Sequence, residues 1–78
     1  MRSEGVRERL RWLAENQTGV HQDCNDSESN EHCSVCGQSI RVGKMACVIT
    51  DEDGRRVVLD RACHAIWTVA RNRRWGSR

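Results

Sequence analysis

Apolar side chains recur at helical spacing near both ends of this chain and alternate with polar ones between them. Val6, Leu10 and Leu13 fall three and four residues apart, with Trp12 beside the stripe, and predict an amphipathic helix over residues 3–16. Ser3 suits the N-cap of that helix and Glu4 its first turn, while Asn16 to Gly19 supplies the stop. Arg7 and Arg11, four apart, fall on a different, solvated face. Residues 20–32 are polar with little apolar content and predict an acidic, mobile loop. His21 and Cys24 are the two residues there with chemistry of their own.

The period shortens in the middle of the chain. Gln38–Val42 predicts a short strand, Gly43 and Lys44 a turn, and Met45–Thr50 and Arg55–Leu59 two further strands. Asp51 to Gly54 lies between those two, and Asp53-Gly54 is a hairpin turn signal. Met45, Cys47 and Ile49 then share one face of their strand and Ala46, Val48 and Thr50 the other. Helical spacing returns from Asp60 to Arg74, with Asp60 as N-cap, Ala62, Ile66, Val69 and Ala70 as the apolar stripe, Trp67 at its edge, and Gly76 as the stop. The expectation is one small α+β domain over residues 1–78. Its parts are an N-terminal helix (1–19), an acidic loop (20–32), and a module of knuckle, antiparallel hairpin and C-terminal helix (33–78).

Composition makes such a domain difficult to hold together. Its 78 residues include three Leu, three Ile and eight Val, with no Phe or Tyr. A core of this size seldom supplies more than about 3–5 kcal/mol by itself. Small domains make up the difference with disulfides, a metal or a partner subunit, and five Cys and three His raise the first two. Residues 1–7 carry charge with no apolar run behind them, and no stretch reaches the length of a membrane span. The chain is therefore expected to be cytoplasmic and unattached to membranes. A reducing compartment disfavours disulfides, and an odd cysteine count would leave one thiol over, so clustered cysteines point to metal. In an apolar strand, Cys47 is expected to be a small buried hydrophobe.

Cys33-Ser34-Val35-Cys36-Gly37 is a tight turn whose backbone amides face two thiolates, holding them at two corners of a tetrahedron. Cys63 follows the hairpin in the first turn of the second helix. That order, with Cys33, Cys36 and Cys63, resembles the treble-clef zinc finger over residues 33 to about 75. The resemblance implies a bound zinc ion, with two ligands from the knuckle and two from the start of the helix.

The fourth ligand departs from the pattern, because a treble clef places its helix ligands at i and i+3 as His or Cys. Here Asp60 stands three residues before Cys63, and His64 has the right chemistry at an adjacent position. His64 ranks first on chemistry, Asp60 and Cys24 follow, and His21 remains open. A rival arrangement would join His21 and Cys24 to Cys33 and Cys36, leaving Cys63 and His64 as ordinary helix residues.

Four protein ligands leave no position for a reactive water, and residues 55–59 lack the general-base His that nucleases built on such a core require. Nor does a hairpin after Cys33 and Cys36 match the setting of a redox dithiol. A binding protein is therefore expected, not an enzyme. The net charge of +2 hides an asymmetry: Asp23, Asp26, Glu28 and Glu31 lie in residues 21–36 with no Lys or Arg, and Arg61, Arg71, Arg73, Arg74 and Arg78 in residues 61–78 with no acid. Such a chain suits charge-complementary docking onto a larger protein or nucleoprotein machine, with Trp12, Trp67 and Trp75 as candidate anchors. The expected role is an adaptor, regulator or inhibitor, similar to the accessory proteins of phages and other mobile elements. The alternative is direct DNA or RNA binding through Arg71, Arg73, Arg74 and Trp75, extended by Arg55 and Arg56. Pairing of the N-terminal helix with its copy would give a homodimer.

Overall fold

A computed structural model describes Ser3–Trp75, with side chains placed from Gly5 to Arg73. The expected roles of Ser3, Glu4, Arg74, Trp75, Gly76 and Arg78 concern side chains or residues outside those described. The order is α1 (Ser3–Asn16), β1 (His21–Asp26), β2 (Glu31–His32), β3 (Ser39–Ile40), β4 (Met45–Thr50), β5 (Arg56–Asp60) and α2 (Arg61–Trp75). The result is a small α+β fold with two helices and antiparallel strands. No helix among the described residues is long and apolar enough to cross a membrane.

Strands β1, β4 and β5 form one antiparallel sheet in that order, with β4 in the centre. Its β4–β5 turn is closed by Asp51, whose Oδ1 accepts from the amides of Asp53 and Arg55 at 3.0 Å each, with Gly54 at φ 84°. One sheet face presents Cys47, Ile49 and Leu59, all fully buried, to Leu10 and Ala14 of α1 and Trp67 of α2. Strands β2 and β3 make a separate two-stranded ribbon, and the residues 33–38 that join them contain the knuckle.

The segment expected to be a loop is thus two strands. β1 has no buried side chain, so it carries no hydrophobic signal. It is held by its ladder to β4, in which His21 faces Thr50 and Asp26 faces Met45. It is also held by a disulfide between Cys24 and Cys47, directly opposed with Cα atoms 4.0 Å apart. Cys47 is therefore buried as expected, but as half of a cystine. Beyond β1, buried Ser27 ties the chain to the Gly43 turn: its amide donates to Lys44 O at 2.8 Å and its carbonyl accepts from Gly43 N at 2.9 Å. Its hydroxyl donates to Ser29 O and lies 3.0 Å from Glu31 Oε2.

α2 is rotated from the expected stripe. Cys63 and Trp67, four apart, face the core, Ile66 and Ala70 pack at its edge, and Ala62 and Val69 are exposed. The large indole and the thiol decide the buried face, and alanine contributes little area to contest it. Trp67 is accordingly a core residue, 1% exposed, with its Nε1–H donating to Oε1 of buried Gln17 at 3.1 Å. Trp12, by contrast, is 57% exposed.

Arg71 also has an internal role. Its Nη1 donates to Ala14 O at 3.1 Å and Gln17 O at 2.7 Å, and its guanidinium lies 5.5 Å from the centre of the Trp67 ring. Those carbonyls end α1, whose last turn has no basic residue of its own, so a cation from α2 serves the dipole instead. Burial lowers the Arg71 pKa. Gly19, at φ 60°, completes the stop, and its α-carbon approaches Glu52 so closely that a Cβ would lie 2.9 Å from Glu52 Cβ. Replacing Arg71 with Met should destabilise the fold by about 1–3 kcal/mol through loss of its two charged bonds to the end of α1. Arg73→Met, at an exposed position, should stay within about 0.5 kcal/mol in the same urea titration.

Candidate metal centre

The knuckle is positioned from both sides. Cys33 N donates to Gln38 O at 2.9 Å and Gly37 N to Cys33 O at 3.0 Å, which closes the turn, with Gly37 at φ 78°. Ser34 then fastens it to β5: its amide donates to Val58 O at 2.7 Å, and its Oγ accepts from Val58 N at 3.0 Å. β5 runs directly into α2, so the knuckle is brought to the start of that helix.

At the junction, Asp60 serves two neighbours. Its Oδ1 accepts from Cys63 N at 2.8 Å, the N-cap bond expected from the sequence, and its Oδ2 accepts from Cys36 Sγ at 3.3 Å. The Sγ atoms of Cys33, Cys36 and Cys63 and a carboxylate oxygen of Asp60 all lie within 4.8 Å of one another. Metal–sulfur bonds of about 2.3 Å in a tetrahedron put sulfurs about 3.8 Å apart, so the four groups could close on one ion with little movement. Cys33 and Cys63 are buried, and Cys36 is half-exposed.

Electrostatics already favours one thiolate. Burial alone would raise the Cys33 pKa, but hydrogen bonds from the backbone of Cys36, Asp60 and Val35 outweigh it and lower the pKa. Burial raises Cys36, and hydrogen bonding to Asp60 and Cys33 adds to that rise. Cys63 is raised furthest, by burial and then by its neighbours Cys33 and Cys36. A bound cation would supply the missing positive charge and displace those protons.

His64 lies outside this group. Adjacent helical residues point about 100° apart, so with Cys63 turned toward the knuckle His64 is turned toward β1. Its Nε2 is 2.8 Å from Gln22 Oε1 and 3.9 Å from Cys24 Sγ, and its ring stacks on Trp67 with centroids 5.8 Å apart. Burial lowers its pKa, favouring the neutral ring. Cys24 is bonded to Cys47, and exposed His21, three residues before it, falls on the other face of β1. The rival quartet of His21, Cys24, Cys33 and Cys36 is therefore not assembled. Cys24, Cys47 and His64 form a second close group, their sulfur and nitrogen atoms also within 4.8 Å of one another. The even-numbered side of β1 was the missing signal for it, since a strand there puts Cys24 opposite Cys47.

Of the other expected binding residues, Arg73 and Trp12 are exposed, while Trp67 and Arg71 hold the helices together. Arg7, Arg11, Arg73 and Glu15 rim a groove between α1 and α2 whose floor includes Ala65, Ile66, Val69 and Ala70. Asp23, Asp26, Glu28 and Glu31 line a second groove over the sheet face opposite the helices, beside Ala46, Val48 and Thr50. Comparisons with protein-family models, curated proteins and solved structures find no match to this chain.

Loading the centre should release protons from Cys36 and Cys63, measurable with an indicator dye in weak buffer. In the metal-free chain those two thiols keep their protons above the ordinary value of 9.0, whereas unfolded thiols do not. The unfolded state then holds fewer protons, so metal-free stability should fall as pH rises through and beyond that value. Cys63→Ala should flatten the decline in thermal melts across the alkaline range.

Proposed function

We propose that this chain is a zinc-stabilised, treble-clef-like binding module that docks an acidic amphipathic segment of a larger protein, as an adaptor or regulator. Three thiolates and one carboxylate suit a borderline-soft divalent ion without geometric preference, which favours zinc over magnesium or calcium. Four protein ligands would close the site to water, so the metal's role is structural and the chain is read as a binder, not a catalyst. The observation that carries the docking assignment is the groove between α1 and α2. It combines an exposed apolar floor, with Val69 53% exposed, and a rim where three arginines outnumber one acid, Glu15. An apolar stripe flanked by Asp or Glu would match both features, charge setting approach and register and the floor holding the helix.

Direct nucleic-acid binding is the second reading, supported by the same rim arginines. It is weakened by Arg71, which is committed to the end of α1. A phosphate backbone also gains nothing from the apolar floor.

Chelation tests the zinc assignment. Stripping an ion held a thousandfold above its Kd removes about 4 kcal/mol, so Tm should drop by about 15–30 °C. An unmoved melting curve would reject it. For docking, Arg7→Glu, Arg11→Glu and Arg73→Glu together should weaken capture of a protein partner from nuclease-treated extract at least about tenfold, with Tm and metal content preserved. If the unmodified chain instead captures no protein but binds DNA or RNA with an affinity falling steeply in salt, the second reading replaces the first.

A further inference from the structure

The cystine of the sheet has a neighbour that a structural staple does not require. His64 Nε2 lies 3.9 Å from Cys24 Sγ, and a ring nitrogen of His64 and both sulfurs all lie within 4.8 Å of one another. The two sulfurs also differ in access: Cys24 is on the exposed edge strand, and Cys47 is fully buried beneath α2. Their opposition does not depend on the S–S bond, because the β1–β4 ladder continues for three residues before Cys24 and two after it. Breaking the bond would leave two thiols facing each other beside an imidazole.

We propose that Cys24, Cys47 and His64 form a redox-gated site for a single soft or borderline divalent cation, closed as the disulfide and opened by a dithiol reductant. A thiolate of the reductant attacks the accessible Cys24 Sγ, and the Cys24–Cys47 bond breaks with its electron pair leaving on Cys47 Sγ, which takes up a proton. The second thiol of the reductant then attacks the mixed disulfide, forming the reductant's own disulfide and releasing the Cys24 thiol. Two electrons have passed from the dithiol to the cystine. The cation displaces one proton from each thiol and binds both sulfurs and His64 Nε2.

For this, His64 carries its proton on Nδ1 and releases its contact with Gln22, while stacking on Trp67 keeps the ring in place. Two thiolates and one imidazole supply three corners of a tetrahedron. The fourth falls to solvent on the exposed Cys24 side. Oxidation reverses the sequence and expels the ion, so cation occupancy reports the thiol–disulfide state. The site shares no ligand with Cys33, Cys36, Asp60 and Cys63 and does not rest on their assignment.

The full chain tests this when stripped of metal, divided into oxidised and dithiol-reduced portions, freed of reductant without air, and titrated with Co²⁺. The thiolate-to-cobalt absorption band and bound-metal analysis give the stoichiometry. The reduced chain should bind about one equivalent more than the oxidised chain. Cys24→Ser should abolish that difference and His64→Ala should weaken the added site at least about tenfold. The proposal is overturned if reduction frees both thiols without added cobalt, if the increment survives in Cys24→Ser, or if a mild oxidant forms no bond between Cys24 and Cys47. Failure of the four-residue centre would lower both portions equally and leave the difference intact.

Discussion

Two segments far apart in sequence must meet at the start of α2, and one carboxylate, beside the Ser34–Val58 bonds, ties the knuckle to the helix. Asp60 closes the first turn of the helix with one oxygen and accepts from the knuckle thiol of Cys36 with the other. A shift of the knuckle would disturb the cap, and a helix begun elsewhere would cost Cys36 its bond to Asp60. Cys63 enters the same cluster from that turn. This coupling matters because the core beneath it is small. Trp67, Leu10, Ile49, Leu59 and Cys47 are its largest fully buried side chains. Packing of that extent can favour a compact chain, but polar and covalent constraints are needed to select one arrangement of ribbon, sheet and helices.

A second node performs this selection at the other end of α2. Gln17 is buried just past the end of α1, where its side chain accepts from Trp67 and its carbonyl from Arg71. The guanidinium also lies over the indole. The two helices, packed through Leu10, Ala14 and Trp67, are thus also registered by polar groups. The same node removes Arg71 from the basic surface, leaving Arg7, Arg11 and Arg73 around an apolar floor. The charges sort by face: Arg7, Arg11 and Arg73 outnumber Glu15 around the groove between the helices, and Asp23, Asp26, Glu28 and Glu31 outnumber Arg56 over the open side of the sheet.

The parts legible in the sequence were those with strong periodicity or strong punctuation. α1 runs over residues 3–16 as its stripe predicts, and β4 and β5 flank a turn that Asp53 and Gly54 announce. β1 was illegible because it buries nothing: a strand held by ladder bonds and one covalent link has the composition of a loop. Cys24 and Cys47 could not be paired without that strand, so the argument from an odd number of cysteines failed to find the cystine. Around α2, spacing does not distinguish small alanines from a thiol and an indole, whose larger buried area turns the helix toward Cys63 and Trp67. The fourth member of the cluster was open for a related reason. Choosing between Asp60 and His64 needs the azimuth of the first turn, which spacing alone does not give.

Cys63 and His64 are consecutive, yet one side chain reaches the ribbon knuckle and the other the edge of the main sheet. A helical turn is stiff, so these two residues stand as arms about 100° apart on a short crank around the α2 axis. Any twist that draws one arm inward swings the other sideways. Two sulfur-rich corners thus meet on one rigid helical turn, with no side chain belonging to both.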